Sequence, residues 1–399
     1  MSCVPLIAMT GDAAFVGIAR RYLALARASL GMDVAWLAEQ TDRGPVVCAA
    51  HGTSDVLPLA HGAAVPCDCI LRAGNGGAPV TTFVGDVRAR VRGDRSILRV
   101  WSGVGAYVSA PVRLADGRVF GALSCASSQS RSDFGHSDTR LIDALAAALG
   151  EEITVFADRA ASHTARRVEI ERVIAGDGMH MVAQPIVRLD TMASVGFEAL
   201  SRFVASPVRP ARWFSDAAAL GVGLPLELTA IRRGLALLEQ IPDESYVSVN
   251  ASPSALGSHE LLDALSTVDS HRVVIELTEH HSVANYDALR GHLANIRATG
   301  ARVAVDDAGA GYASFRHILN LRPDMIKLDR TLISGLATDS ARQALVEALM
   351  QFASGLGAVV VAEGIETGEE LACAAGLGVV LGQGYFIARP GPIPVLVLS

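Results

Sequence analysis

The stretch Arg302-Val-Ala-Val-Asp-Asp-Ala-Gly-Ala-Gly-Tyr-Ala-Ser-Phe315 carries the pattern on which the fold assignment rests. Its short β-branched apolar run, with Val303 and Val305, predicts a buried strand. The strand ends on two adjacent carboxylates, Asp306 and Asp307, and the glycines that follow allow a sharp loop. Such a pair is common in solvated turns. At the end of a buried strand, however, the two carboxylates repel each other unless a cation lies between them, and Mg²⁺ and Mn²⁺ prefer carboxylate oxygens.

Seven further apolar runs alternate with longer helical segments beyond residue 180. Together the eight runs lie at residues 181–187, 194–202, 246–250, 273–277, 303–307, 325–328, 359–363 and 379–383. Eight strands with helices between them over this length predict an α/β fold, a (β/α)8 TIM-like barrel. In such barrels the active site lies at the carboxyl ends of the strands.

Polar side chains occur at nearly every one of these strand ends. They are Gln184, Glu198, Asn250, Glu276, Asp306, Asp307, Lys327, Glu363 and Gln383. One such residue commonly faces solvent or caps a helix, whereas a full set around one barrel predicts a shared site. Oxygen ligands without His or Cys indicate hard divalent cations, and the carboxylates suffice for two, a pair that can clamp the attacking and leaving oxygens of a phosphodiester. A lysine among the acids can orient water or neutralise phosphate charge, and Arg202 is placed to hold a phosphate oxygen.

These motifs resemble the EAL-type cyclic di-GMP phosphodiesterases over residues 170–392. The likeness consists of Gln184-Pro-Ile186, Glu198-Ala-Leu200 with Arg202, Val249-Asn-Ala-Ser-Pro253, Ile275-Glu-Leu-Thr-Glu279, Val305-Asp-Asp-Ala-Gly309, Ile326-Lys-Leu-Asp329, Val361-Ala-Glu-Gly-Ile-Glu366 and Gln383-Gly-Tyr385. The resemblance implies hydrolysis of cyclic di-GMP to linear pGpG with two Mg²⁺ or Mn²⁺ ions. It also implies that one barrel strand is reversed, and we expect this to be the first.

The resemblance further implies a role for each matching residue. It implies that Glu198, Asn250, Glu276 and Asp306 hold one metal, that Asp306 bridges to the second beside Asp307, and that Gln383 completes the shell through water. It places Glu363 and Lys327 at the attacking water, with Glu198 in the same catalytic set, and Gln184, Leu200 and Arg202 at the substrate. Glu279 matches the residue that holds the loop at residues 308–315. His280 and His281 match no residue that the family uses, and we interpret them as surface residues.

The chain departs from the family pattern at several positions. Ala308 replaces a usual Phe, Ala217-Ala218 a usual Ala-Glu, Phe203 a usual Trp, and Ala183 a usual aromatic residue. None is an implied metal ligand, so we expect these changes to affect rate, affinity and loop regulation rather than the reaction itself.

The first 150 residues show a different pattern. A helix at residues 14–31, strands at 33–39 and 45–51, and a hairpin at 105–114 and 118–126 around Asp116-Gly117 predict an α+β module with an antiparallel sheet. The region resembles a GAF sensor domain through Leu30-Gly-Met-Asp-Val-Ala-Trp-Leu37, Pro79-Val80 with Gly85-Asp-Val87, and residues 105–125. This resemblance implies either binding of an unidentified small molecule or dimerisation alone.

The sequence between the two regions is compatible with helix. Leu141, Leu145, Leu149, Ile153 and Phe156 recur three to four residues apart, and they predict one long helix or two stacked helices. The apolar stripe fits either a partner helix or its own domain. The predicted organisation is a GAF-like domain at 1–155, a helical linker at 138–175 that overlaps the domain edges, and an EAL domain at 170–399.

Composition sets the broad class of the protein. With 399 residues, 50% of them apolar, and a net charge of −7, the chain predicts two folded domains and no general nucleic-acid binder. The six cysteines, including Cys67-Asp-Cys69, have no zinc or disulfide spacing, and no signal peptide or membrane span is indicated. We therefore expect a cytoplasmic homodimer that degrades cyclic di-GMP. The alternative is a catalytically silent receptor that signals by binding cyclic di-GMP.

Overall fold

The computed structural model of the chain describes residues 12–53, 57, 59–65, 72–73, 78–91, 103–176, 178–204, 209–277, 285–308 and 312–393. It divides into two compact units, Met1–Thr164 and Ala165–Ser399. The first unit contains α1 (Ala13–Leu30), β1 (Val34–Thr41), β2 (Gly44–Gly52), β3 (Arg72–Ala73), β4 (Pro79–Val80), β5 (Thr82–Val84), α2 (Val87–Val91), β6 (Ala106–Arg113) and β7 (Val119–Ser127).

A five-stranded antiparallel sheet of order β2-β1-β7-β6-β5 forms the centre of the first unit. Helix α1 begins at Asp12, whose carboxylate accepts from Ala14 N–H at 2.7 Å, and it buries Phe15 and Leu23 against one face of the sheet. The opposite face carries a separate apolar cluster around Trp36. The predicted antiparallel α+β module is therefore confirmed.

One 40-residue helix, α3 (His136–Ala175), follows the sheet, so the alternative of two stacked helices is wrong. Its Ile142 and Leu149 pack in the core of the first unit, and its Ile170 and Val173 pack in a cluster of the second. None of the helices among the described residues is long and apolar enough to cross a membrane. The three cysteines in the described ranges are free thiols.

The second unit alternates strands and helices. Its elements are β8 (Met179–Arg188), β9 (Ser194–Phe203), α4 (Pro210–Ala219), α5 (Gly223–Leu235), β10 (Tyr246–Ala251), α6 (Pro253–Leu256), α7 (His259–Ser266), β11 (Val273–Leu277), α8 (Tyr286–Ala298), β12 (Arg302–Ala308), α9 (Tyr312–Leu321), β13 (Met325–Leu328), α10 (Arg330–Ile333), α11 (Ser340–Leu356), β14 (Val359–Ala362), α12 (Gly368–Gly376) and β15 (Leu381–Gly382). Two 3₁₀ turns lie at Ala236–Gln240 and Ser270–Arg272.

The eight strands β8–β15 close into a barrel of order β10-β11-β12-β13-β14-β15-β8-β9. Strand β8 is antiparallel to both of its neighbours, and the other pairs are parallel. The predicted TIM-like barrel and its reversed first strand are both confirmed. The main apolar core lies between the strands and the helices around them. A second, smaller apolar cluster lies in the barrel interior.

Candidate functional site

The barrel interior is built in two layers, an apolar one and a polar one. The apolar layer consists of Ile186, Tyr246, Val274, Ala304, Met325, Val361 and Leu381. Residues two apart on a strand share a face, so Glu276, Asp306, Lys327, Glu363 and Gln383, each two positions further on, point into the same interior. On the reversed strand the step runs backwards, from Ile186 to Gln184. The polar set therefore collects at one end of the barrel although one strand runs the other way.

Strand β9 follows the same two-residue pattern. Gly196 lies at the level of the apolar layer, and Glu198, two residues later, lies in the polar layer. The Tyr246 ring occupies the space beside Gly196, and a Cβ there would lie 2.4 Å from it. Strand β8 places Gln184 directly opposite Glu198 in the antiparallel register. Both side chains are buried, at 8% and 7% exposure.

Lys327 lies at the centre of the polar layer and is 1% exposed. Its Nζ is 2.7 Å from Glu363 Oε1 and 2.8 Å from Glu276 Oε2. It is also 3.3 Å from Asp306 Oδ1 and 3.4 Å from Glu198 Oε2. One ammonium group thus faces four carboxylates that come from four other strands or strand ends. The full sequence holds no other lysine.

Two amides connect the acids. Gln383 Nε2 donates to Glu198 Oε2 at 2.7 Å and to Glu363 Oε1 at 3.2 Å, and Asn250 Nδ2 donates to Glu198 Oε1 at 3.3 Å. Among the described residues, the buried Gln383 Oε1 has no hydrogen-bond donor, and Asp306 Oδ1 has only the Lys327 ammonium 3.3 Å away, without hydrogen-bond geometry. A buried acceptor without a donor is costly, and a cation would satisfy it.

Asp307 adds a fifth carboxylate through an unusual backbone conformation. Its φ is +54°, and the pairing of β12 with β13 shifts register between Val305 and Ala308. In a regular strand, adjacent side chains point to opposite faces, but this left-handed bulge lets both aspartates reach the same place. One oxygen each from Asp306, Asp307 and Glu363 lie within 4.8 Å of one another.

Burial and neighbouring charges raise the pKa of two of the acids and lower the pKa of a third. Burial raises the pKa of Glu276 to about 8, and the neighbouring Glu198 and Asp306 add to the rise. Burial likewise raises the pKa of Glu363 well above its ordinary value. For Glu198, burial is outweighed by Lys327 and by the donors Gln383 and Asn250, so its pKa is lowered.

The pKa of Lys327 is likewise set by burial on one side and by neighbouring charges on the other. Burial alone would lower its pKa, but the surrounding acids outweigh burial and raise the pKa well above the ordinary value. Four acids therefore surround one positive charge, and Asp307 lies beside two of them. Carboxylate and amide oxygens without His or Cys suit Mg²⁺ or Mn²⁺, so these residues fit hard divalent cations.

Further predicted residues lie on the strand that carries Glu198. Leu200 and Arg202 follow it at two-residue steps, so the three share one face of β9. Arg202 Nη1 donates to Ser201 O at 2.9 Å, and Gln184 Nε2 donates to Ala388 O at 3.1 Å.

Several positions singled out in the sequence have other surroundings. Glu279, His280 and His281 lie outside the described residues. Ala308 is 1% exposed in the main core, and Phe203 stacks on Trp213 with ring centroids 4.4 Å apart. Glu370, which contacts the loop after Glu363, is not among the residues predicted from the sequence. The motif Thr367-x-x-Glu370, a capping box, was the available signal.

Comparison with known proteins agrees with this geometry. Residues 167–390 match the EAL domain, and residues 13–154 match a GAF domain. The cyclic di-GMP phosphodiesterase PA2567 of Pseudomonas aeruginosa is 33% identical over 226 residues, which cover 54% of this chain and 38% of that protein. The probable cyclic di-GMP phosphodiesterase PdeN of Escherichia coli is 27% identical over 238 residues, which cover 56% of this chain and 46% of that protein.

A solved structure, the PaMucR phosphodiesterase in complex with c-di-GMP, superposes with a TM-score of 0.50 at 26% identity and covers 58% of this chain and 99% of that one. The chain spans less than half the length of the two curated relatives. Because the EAL match extends over more than half of the 399 residues, and because the barrel and its ring of acids occur in the matched part, the chain belongs to the EAL domain family.

Proposed function

We propose that the chain hydrolyses cyclic di-GMP to linear pGpG with the help of divalent metal ions. The observation that carries the proposal is the set of four carboxylates within 3.4 Å of Lys327 Nζ, with Asp307 as a fifth acid beside them. The relatives PA2567 and PdeN, which are named as cyclic di-GMP phosphodiesterases, support this substrate. The c-di-GMP in the PaMucR complex supports it as well.

Two Mg²⁺ or Mn²⁺ ions would be held by the acids and amides of the polar layer. We assign Glu198, Asn250, Glu276 and Asp306 to one ion, and Asp306 and Asp307 to the other, with Gln383 contributing through water. When bound, such ions polarise a phosphodiester and lower the pKa of a bound water.

The remaining residues act on the water and on the substrate. Glu363, whose pKa burial raises, can in its ionised form accept the proton of the attacking water. Lys327, 2.7 Å from Glu363, holds that carboxylate in place. The water oxygen bonds to phosphorus, the bond from phosphorus to the ribose 3′ oxygen breaks, and that oxygen takes up a proton. We assign Gln184, Leu200 and Arg202 to substrate binding, Arg202 through a phosphate oxygen.

We also propose that the first unit regulates the second and that the protein works as a homodimer. The match of residues 13–154 to a GAF domain supports a sensory role. Glu279 remains our candidate for holding the loop that follows Asp307.

The test is turnover of cyclic di-GMP by the purified full-length protein with Mg²⁺, Mn²⁺ or EDTA, with products separated by chromatography. We expect pGpG to form only with metal, and we expect Glu198→Ala and Asp306→Ala to abolish its formation while circular dichroism stays unchanged. Tight binding of cyclic di-GMP without cleavage would instead assign the protein as a silent receptor. Near-normal turnover by either variant would contradict the site.

A further inference from the structure

Glu370, in the first turn of α12, accepts hydrogen bonds from two separate loops. Its Oε1 accepts from Gly335 N–H at 3.0 Å, and its Oε2 accepts from Glu366 N–H at 2.8 Å and Thr367 N–H at 3.1 Å. A capping box accounts for the Thr367 bond, but it does not account for the other two. Burial opposes ionisation, but the backbone donors outweigh it and lower the pKa of Glu370.

The two loops lie in the segments that follow β13 and β14. Gly335 comes after α10, and Glu366 and Thr367 come after Glu363 at the end of β14. The two segments meet again closer to the barrel. Glu363 N–H donates to Leu328 O at 3.1 Å. Arg330 covers Gly364, where φ is +66° and an added Cβ would lie 2.5 Å from Arg330 Cγ. The same arginine pairs with Glu366 Oε1 at 2.9 Å. We call Arg330, Gly335, Glu366 and Glu370 the clasp.

We propose that Glu370 is a positioning residue of the EAL site. Through the clasp it fixes the loops after β13 and β14, and so it holds the Glu363 carboxylate 2.7 Å from Lys327 Nζ. Its carboxylate accepts from the backbone N–H groups of Gly335, Glu366 and Thr367 rather than contacting the acids of the site, so its action is indirect. The catalytic consequence rests on the proposed function, whereas the structural consequence does not.

The chain offers a matched pair of variants to test this role. In Glu370→Gln the side chain keeps almost the same shape but has one acceptor oxygen instead of two. Its NH₂ group then faces a backbone N–H of the clasp, and two donors cannot form a hydrogen bond with each other. Glu369→Gln is the control, because Glu369 lies in the same helical turn and is exposed. Both changes remove one charge near the helix N-terminus, and only the first disturbs the clasp.

We expect Glu370→Gln to lower kcat for cyclic di-GMP about 10- to 100-fold, as loss of outer-shell support does at metal sites. The KM should stay within about two-fold of wild type, because the substrate residues on β8 and β9 are untouched. Glu369→Gln should behave as wild type. A lower Tm with unchanged kcat, measured well below that Tm, would show that Glu370 is only structural and would overturn the proposal.

A second readout needs neither substrate nor metal. Hydrogen exchange by mass spectrometry, on metal-free protein, should become faster in peptides covering residues 329–337 and 363–371 of Glu370→Gln and stay unchanged in Glu369→Gln. Unchanged exchange in both peptides would refute the clasp. If the wild type does not hydrolyse cyclic di-GMP, the proposed function fails, but the exchange comparison still decides whether Glu370 fixes these loops.

Discussion

At the scale of single residues, the choice of lysine at position 327 is informative. The sequence contains 34 basic residues, and Lys327 is its single lysine. An ammonium group is a compact point charge that four acids can surround, whereas the planar guanidinium of arginine presents a wider fork. The position therefore selects lysine for a geometric reason while arginine supplies the positive charge elsewhere in the chain.

Replacement of Lys327 by Met should leave four acids without their counter-charge. We expect the free energy of unfolding of the metal-free protein to fall by about 3–5 kcal/mol, as when one partner of a buried ion pair is removed. Mn²⁺ should restore part of this loss. Urea unfolding in EDTA and in Mn²⁺ measures both effects. Arg188→Met is the control, because its exposed pair with Asp190 should cost at most about 1 kcal/mol. Equal destabilisation with and without Mn²⁺ would contradict a metal site here.

The raised pKa values of Glu276 and Glu363 predict how stability depends on pH. An acid whose pKa is higher in the folded state binds an extra proton there, so stability falls as pH rises through that interval. For Glu276 the interval runs from about 4.5 to about 8. The lowered pKa of Glu198 contributes stability that is lost only as the pH falls into the acid range. The raised pKa of Lys327 contributes stability that is lost only as the pH rises above the ordinary lysine value of 10.5.

We therefore expect the metal-free protein to lose stability between pH 5 and pH 9, by an amount on the order of a few kcal/mol. Metal ions compete with these protons, so stabilisation by Mg²⁺ or Mn²⁺ should grow over the same range. Unfolding in EDTA at a series of pH values tests the first point, and Tm shifts with metal test the second. Glu276→Gln should flatten the EDTA profile, and an unchanged profile in that variant would assign the pH dependence to other groups.

At the scale of elements, the end of helix α3 is joined to the strand that carries Glu198 and Arg202. Arg166 pairs with Asp216 at 2.9 Å and lies over the Trp213 ring at 4.0 Å. Trp213 in turn stacks on Phe203, the last residue of β9. A packed column thus runs from Arg166 of the helix to the end of the strand.

Removal of Arg166 should weaken this column, whereas removal of its neighbour should not. We expect Arg166→Ala to destabilise the second unit by about 1–3 kcal/mol, through the lost charged hydrogen bond and cation–π contact. Arg167→Ala removes an exposed pair with Glu171 and should cost at most about 0.5 kcal/mol. Thermal unfolding compares the two variants. Equal losses would mean that the column contributes nothing beyond the helix itself.

At the scale of the whole molecule, the second unit carries its own hydrophobic core. The clusters that contain barrel residues lie within residues 170–393. A closed barrel also leaves no open sheet edge. These features indicate a unit that can fold without residues 1–164.

We expect a fragment of residues 165–399 to unfold cooperatively and to bind Mn²⁺. Comparison of its turnover of cyclic di-GMP with that of the full chain gives the direction of regulation. An active fragment beside a silent full-length protein would mean that the first unit inhibits until it binds its ligand. A fragment that shows no cooperative transition in calorimetry would contradict an independent core.

The sequence by itself determined the barrel, the reversed strand, the antiparallel module and the identity of the polar residues at the strand ends. The barrel, the antiparallel module and the polar residues follow from local signals, since alternation along a strand and short motifs need no knowledge of distant residues. The reversed strand was expected from the resemblance to the EAL family. Whether α3 is one helix or two could not be decided from the sequence, because a helix-compatible sequence does not show whether the helix breaks at Gly150.

Only the tertiary structure decided how those residues act on one another. The central position of Lys327, the left-handed Asp307, the raised pKa of Glu276 and the hydrogen bond from Gly335 to Glu370 depend on residues tens of positions away in sequence. Burial and the sum of neighbouring charges arise when the strands close into a barrel. The sequence therefore names the members of the site, and the closed barrel sets their distances and charges.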